Sequence, residues 1–238
     1  ITDITTKEWQ ATFTDAKMIE VIDKGLNRKS KDGKVQKMTP LKGKLGVSKR
    51  VAWSHAYDLA EAKRICAALE CKINDVLAGA LAGALRAYLL ERGASPDGLD
   101  ISAIIPVDLR AAGREMELGN VFGLVFLGLP VGNSDPLQRL QTVKERMDEL
   151  KRSNEAAFYY ALLNLFGFTP RQVEDLALTY FGTKGTTVFT NVVGPREQIY
   201  LAGQPVEQMM FWVPQSGRLA LGCSIYSYNG GVTLGVIF

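Results

Sequence analysis

Apolar positions along this chain shift between a helical and a strand period, and each shift marks an element. Trp9, Phe13, Ile19 and Ile22 share one face of a predicted first helix, opened by Thr5 or Thr6 and running to about Lys24. Lys49 to Tyr57 alternates as a strand, and Asp58 then caps a helix carrying Leu59, Ala62, Ile65, Ala68 and Leu69. Asn74 opens a further helix, NDVLAGALAGALRAY, which the turn from Gly93 to Gly98 ends. So little polar surface predicts burial on nearly all sides, and its small residues let neighbouring backbones come close. The Asn74–Asp75 pair at its entrance is then either a helix cap or part of a site.

Beyond that helix, Ile101 to Leu109 is a β-branched run and reads as a buried strand. A Gly/Arg/Glu loop leads through Gly119-Asn120-Val121-Phe122-Gly123 into the strand LVFLGLP. Asp135-Pro136 is a strong helix start, with Leu137, Leu140, Val143, Met147 and Leu150 as the apolar face. Glu155 to Phe168 is apolar nearly all round, and Thr169-Pro170 caps another helix. From Gly185 the period becomes strand-like: 186–191, 198–201, 206–213, 219–228 and 232–238 alternate with Gly, Pro and Asn turns. Helices mixed with strands, then a late meander, predict an α/β layered domain with a mixed sheet.

Charge alters this picture in one place. Residues 24–50 hold ten Lys/Arg against one acid, Asp32, so this segment carries +9 of a chain whose net charge is only +3. It reads as a solvated linker, or as a tether to anionic lipid headgroups or to the phosphates of a nucleotide cofactor. Nucleic acid is disfavoured, because no aromatics interleave the basic residues as stacking requires. The composition, 47% apolar and 22% charged over 238 residues, is that of a globular chain. No run of about 18 uncharged apolar residues occurs, which argues against a spanning helix. Cys66, Cys71 and Cys223 have no zinc-site spacing and read as free thiols of a reducing compartment. The start at Ile1 and the stop inside the strand-like GVTLGVIF suggest a piece of a longer protein.

The sequence has no GxSxG, Walker A, GxGxxG or HExxH motif and no ligand cluster for a metal. His55 is its single histidine and has no obvious carboxylate partner, so no self-contained acid–base site is legible. Three polar constellations remain at the borders of buried elements. Asn74-Asp75 is the first. Pro106, Asp108 and Arg110 end a buried strand, where an Asp–Arg ion pair would fix the loop. Gly119, Asn120, Phe122 and Gly123, with Thr190, Asn191, Gly194 and Pro195, flank strands and serve either sheet geometry or the lining of a channel.

These stretches carry a resemblance. In order and spacing, KRVAW (49–53), IND (73–75), AGALR (82–86), PVDLR (106–110), GNVFG (119–123), LPVG (129–132), TNVVGP (190–195) and YLAG (200–203) resemble the second half of bacterial wax ester synthase/diacylglycerol acyltransferases. The match runs from about Thr39 to the end of the chain. It divides the chain into 1–44, the end of a preceding half and a basic linker, and 45–238, a C-terminal acyltransferase domain.

The resemblance implies a chloramphenicol-acetyltransferase or condensation-domain-like α/β sandwich, one of two halves around a tunnel. It implies transfer of a fatty acyl group from acyl-CoA, a substrate rather than a bound cofactor, to a long-chain alcohol or diacylglycerol. Catalysis in this family is placed on an HHxxxDG motif of the first half, and this chain contains none. The catalytic base is therefore expected in an N-terminal half acting as partner. Asn74, Asp75, Thr190 and Asn191 become candidates for the active-site wall or an oxyanion donor. Ala156, Ala157, Tyr160 and Ala161 become candidates for an alcohol pocket, with ordinary core packing as the competing role. A cytoplasmic enzyme held peripherally at a membrane or lipid inclusion is the implied setting. A non-catalytic lipid-surface module, or a condensation-domain half serving a carrier protein, are the competing functions.

Overall fold

The structure, a computed structural model, describes residues 41, 46–111, 113–114, 118–166, 185–215 and 219–238. The predicted first helix, most of the basic segment and the helix after Thr169 lie outside these residues.

Strands β1 (Val51–Trp53), β2 (Tyr57–Asp58), β3 (Ile101–Asp108), β4 (Phe122–Leu129), β5 (Thr187–Val193), β6 (Tyr200–Leu201), β7 (Gln204–Pro205), β8 (Leu221–Tyr228) and β9 (Gly231–Ile237) alternate with four described helices. These are α1 (Leu59–Ala68), α2 (Ile73–Glu91), α3 (Pro136–Arg152) and α4 (Glu155–Phe166). The main sheet runs β1-β9-β8-β5-β3-β4, with β2 also on β9, while β6 and β7 form a separate small ribbon. It is mixed: β5 lies parallel to both β3 and β8, and the outer pairings are antiparallel. Strands β8 and β9 and the first part of β3, Ile101 to Ile105, are almost continuously buried, which is why they read as apolar runs rather than as alternation.

The strand expected over Lys49 to Tyr57 is two short strands. Ser54 divides them, because its Oγ accepts the Leu234 N–H at 3.0 Å in place of a backbone carbonyl. The strand expected over 206–213 does not form. Its anchors are side chains: Gln208 Nε2 donates to Ser54 O and Thr233 Oγ1, and Gln215 Nε2 to Ala220 O and Ile237 O. Ser224 Oγ also donates to Phe211 O, so the segment is tied to the sheet without joining its ladder.

The small-residue helix α2 is the centre of the core, as its composition predicts. Leu77, Ala78, Leu81, Ala82, Leu85 and Leu89 are all buried. Among the described residues α2 is also the one helix long and apolar enough to cross a membrane, and it is instead packed under α3 and the sheet. Its glycines have a specific purpose. A Cβ at Gly79 would meet Leu140 at 3.5 Å, whereas one at Gly83 would stand 2.7 Å from Arg139 Nη2.

Helix α3 starts as predicted, with the Asp135 carboxylate accepting from Leu137 N and Gln138 N and Pro136 in the first turn. Leu140, Val143 and Met147 of its expected apolar face are buried; Leu137 in the first turn is instead 51% exposed, and Arg139 is buried beside that face. Arg139 donates to Gly79 O at 3.3 Å and Asn133 O at 2.9 Å, so a cation sits in the seam between α2 and α3. Burial, with Arg86 nearby, lowers its pKa from the ordinary arginine value. Helix α4 covers the free edge of β4, where Glu155 Oε1 accepts the Phe126 N–H.

Candidate active-site wall

At one end of the sheet, between α1, the entrance of α2 and the ends of β5, β8 and β9, lies a cavity of about 770 Å³. That size is ordinary for a small-molecule site. Leu59, Ile73, Leu77, Ile225 and Val232 make its apolar wall. Asn74 and Asn191, both active-site candidates, also line it, as do Gly194 and Pro195 of the strand-flanking motif.

The two asparagines meet. Asn191 Nδ2 donates to Asn74 Oδ1 at 2.7 Å, joining α2 to β5 across 117 residues of sequence. None of the described hydrogen bonds uses the Asn74 Nδ2 group, so a donor amide remains available at the cavity wall. This geometry corrects the expectation that Asn74 opens the helix. Lys72 is the cap residue and α2 begins at Ile73, which puts Asn74 inside the first turn.

Capping falls to Asp75 instead. Its Oδ2 accepts the Lys72 N–H at 2.8 Å, the reciprocal half of a capping box whose other half Lys72 cannot supply because it has no acceptor. Asp75 is buried, and its Oδ1 has Lys151 Nζ at 3.9 Å and no hydrogen bond. The adjacent pair thus divides its roles: Asp75 holds the helix entrance and Asn74 faces the cavity.

Strand alternation separates the second predicted pair. Asn191 is on the helix side of β5 with Phe189 and Val193, and Thr190 points to the opposite face, outside the cavity. Asp108 Oδ1 accepts from Arg110 N and Arg110 Nη1, both at 3.0 Å, and Arg110 Nη2 donates to Gly119 O. The ion pair therefore fixes the loop after β3, as one reading of these residues expects. The Arg110 amide and guanidinium hold the Asp108 carboxyl below its ordinary pKa. Pro106, at the end of β3, pairs with Leu124.

Asn120 and Phe122 are surface residues, and Gly123 makes room for α4: a Cβ there would lie 2.0 Å from Ala156 O. Ala157 and Ala161 are exposed on α4, and Ala156 and Tyr160 are half-buried. This helix packs on β4, separated by β3 from β5 and the cavity.

Several cavity residues were missed in the sequence. Lys63, Lys72 and Arg196 line it, as do Cys66 and Cys71. The thiols are inert at neutral pH, since burial pushes Cys66 up to about 12 and raises Cys71 in the same direction. Only Lys72 had a legible signal, its place three residues before Asp75. His55 is exposed between β1 and β2 and does not line the cavity.

The family model for the WS/DGAT C-terminal domain matches residues 118–238. A protein of Mycobacterium tuberculosis H37Rv named as a diacylglycerol O-acyltransferase is 28% identical over 208 residues, 84% of this chain and 40% of its own length. Another from the same strain, also so named, is 32% identical over 168 residues, 66% of this chain and 35% of its length. The chain thus spans well under half the length of these curated relatives.

The wax ester synthase/diacylglycerol acyltransferase of Marinobacter aquaeolei VT8 superposes with a TM-score of 0.59 at 22% identity, covering 98% of this chain and 49% of that one. The epimerization domain of tyrocidine synthetase B gives 0.51 at 14% identity, covering 98% and 52%. At such identities the likeness establishes the fold, the mixed-sheet α/β sandwich expected from the sequence. By the match over its C-terminal half, the chain belongs to the WS/DGAT family, as the C-terminal domain.

Proposed function

We propose that this chain is the C-terminal half of an O-acyltransferase that moves a long fatty acyl group from acyl-CoA to a long-chain alcohol or diacylglycerol. The observation that carries the reading is the Asn191–Asn74 hydrogen bond on the cavity wall. It fixes the Asn74 amide on a wall that an acyl carbonyl can approach and leaves its Nδ2 without a described partner. Such a donor stabilises the oxyanion that forms when an alcohol oxygen attacks a thioester carbon. The tetrahedral intermediate then collapses, the thiolate leaves, and the proton taken from the alcohol returns to sulfur.

No described group on this wall can take that proton. The thiols are protonated at neutral pH, Asp75 is committed to the Lys72 amide, and the one histidine of the chain lies elsewhere. The base is therefore assigned to an N-terminal half that closes over the cavity. Burial of α2 favours this reading over a lipid-surface module built on that helix.

The test is ester synthesis from acyl-CoA and a long-chain alcohol or diacylglycerol. It compares this chain alone with the same chain joined to the half that precedes it in its relatives. Product is expected only from the joined protein; turnover by this chain alone would overturn the assignment of the base.

A further inference from the structure

Three cations from three separate places in the fold converge on the cavity. Lys63 comes from α1, Lys72 from the entrance of α2 and Arg196 from the turn after β5. No Asp or Glu lines the cavity. Among the described residues these three have no ion pair, whereas Arg64, Arg86, Arg110, Arg146 and Lys151 all do. Three like charges held around one cavity repel one another, a cost that a bound polyanion removes. All three are exposed, so they stand at the solvent side, while Leu77 and Ile225 on the inner wall are buried.

The site is thus built in two parts, a cationic rim and an apolar interior with the Asn74–Asn191 pair on its wall. A ligand that fits has several phosphates at one end and an uncharged reactive arm at the other. Neither a long-chain alcohol nor a diacylglycerol has this form, but the acyl donor does. We propose that Lys63, Lys72 and Arg196 bind the nucleotide phosphates of the coenzyme A donor, so that its acyl-bearing arm enters along the Asn74 wall. This rests on the acyltransferase reading for the identity of the donor, but the phosphate site itself does not depend on it.

The experiment uses the full-length enzyme and measures kcat/KM for one acyl group carried on coenzyme A and on pantetheine, which lacks the phosphates. Wild type prefers the coenzyme A ester. Replacing each cation by Gln lowers that preference about tenfold, and the triple variant Lys63→Gln, Lys72→Gln, Arg196→Gln nearly abolishes it. Lys63→Arg with Lys72→Arg restores it, which separates charge from folding. An unchanged preference in the triple variant overturns the proposal.

Calorimetry with coenzyme A and with ADP keeps the two ideas distinguishable. Binding to wild type that weakens with salt and is lost in the triple variant upholds the rim even if no ester is ever formed. Equal binding by both proteins, or by neither, overturns it. So does charge-dependent binding of phosphatidylglycerol vesicles that ADP does not compete away, since the cations would then serve a lipid headgroup.

Discussion

Gly83 and Arg139 are fitted to each other: the buried guanidinium lies against the glycine, and a Cβ there would stand 2.7 Å from Nη2. At Gly79, one turn earlier, the same Cβ would make an ordinary contact of 3.5 Å with Leu140. Two glycines of one helix therefore have opposite reasons to exist. Gly79→Ala is expected to stabilise the fold by about 0.5–1 kcal/mol through helix propensity. Gly83→Ala should cost about 1–3 kcal/mol, because Arg139 must leave its carbonyl partners. In an Arg139→Met background the Gly83→Ala penalty should vanish. Chemical denaturation of the four variants checks this double-mutant cycle.

The Asn74–Asn191 bond yields a kinetic prediction. Asn74 does not cap α2, so Asn74→Ala removes one exposed hydrogen bond and should cost no more than about 1 kcal/mol of stability. In the full-length enzyme kcat should fall by about 10²-fold, the scale of a lost oxyanion donor. Asn191→Ala should produce a smaller fall by freeing the Asn74 amide to rotate. A kcat unaffected by either change would make the pair purely structural.

Asp75, its neighbour, should behave in the opposite way. Asp75→Ala removes the acceptor for Lys72 N and leaves Lys151 without its buried partner, so a stability loss of about 0.5–2 kcal/mol is expected. Thermal unfolding of Asp75→Ala beside Asn74→Ala should show the larger loss in the first variant.

Gly123 is predicted to be the least tolerant of the motif glycines. A Cβ would fall 2.0 Å from the backbone oxygen of Ala156, and backbone cannot rotate aside as a side chain can. Gly123→Ala should cost about 3 kcal/mol or more and loosen α4 from β4. Hydrogen exchange at Phe126, whose N–H is held by Glu155, would report that loosening.

Cys223 gives the fold an alkaline limit. It is wholly buried and its pKa is raised from 9.0 to about 12. The unfolded chain loses this proton above pH 9 while the folded chain keeps it. Stability therefore falls as pH rises from 9 towards 12, and below 9 this group has no effect. Cys223→Ala should make that limb shallower in unfolding curves measured across the range, with the remainder due to Cys66 and Cys71, whose pKa values are raised in the same direction. Thr187 Oγ1 then loses only its 3.8 Å contact with the sulfur and keeps the Val188 carbonyl at 3.2 Å.

What local pattern decides was legible in the sequence. Asp135-Pro136 starts α3 because capping acts over two or three residues, and β8 and the first part of β3 read as buried runs because both of their faces are covered there. The small-residue helix announced its own burial. The ordered motifs further pointed to the family that the C-terminal-domain match shows.

Only the tertiary structure decided the rest, because it depends on which distant groups meet. Nothing near Asn74 says that Asn191 will hold its amide, or that Thr190 will face away from it while Asn191 faces in. The residues of 206–213 have a strand-like pattern, but Gln208 and Gln215 tie that segment to the sheet by side chains instead. Lys63, Lys72 and Arg196 are ordinary surface cations until the fold brings them to one cavity. Periodicity reports which face of an element is buried; what the face is buried against is set by long-range packing, which no single segment encodes.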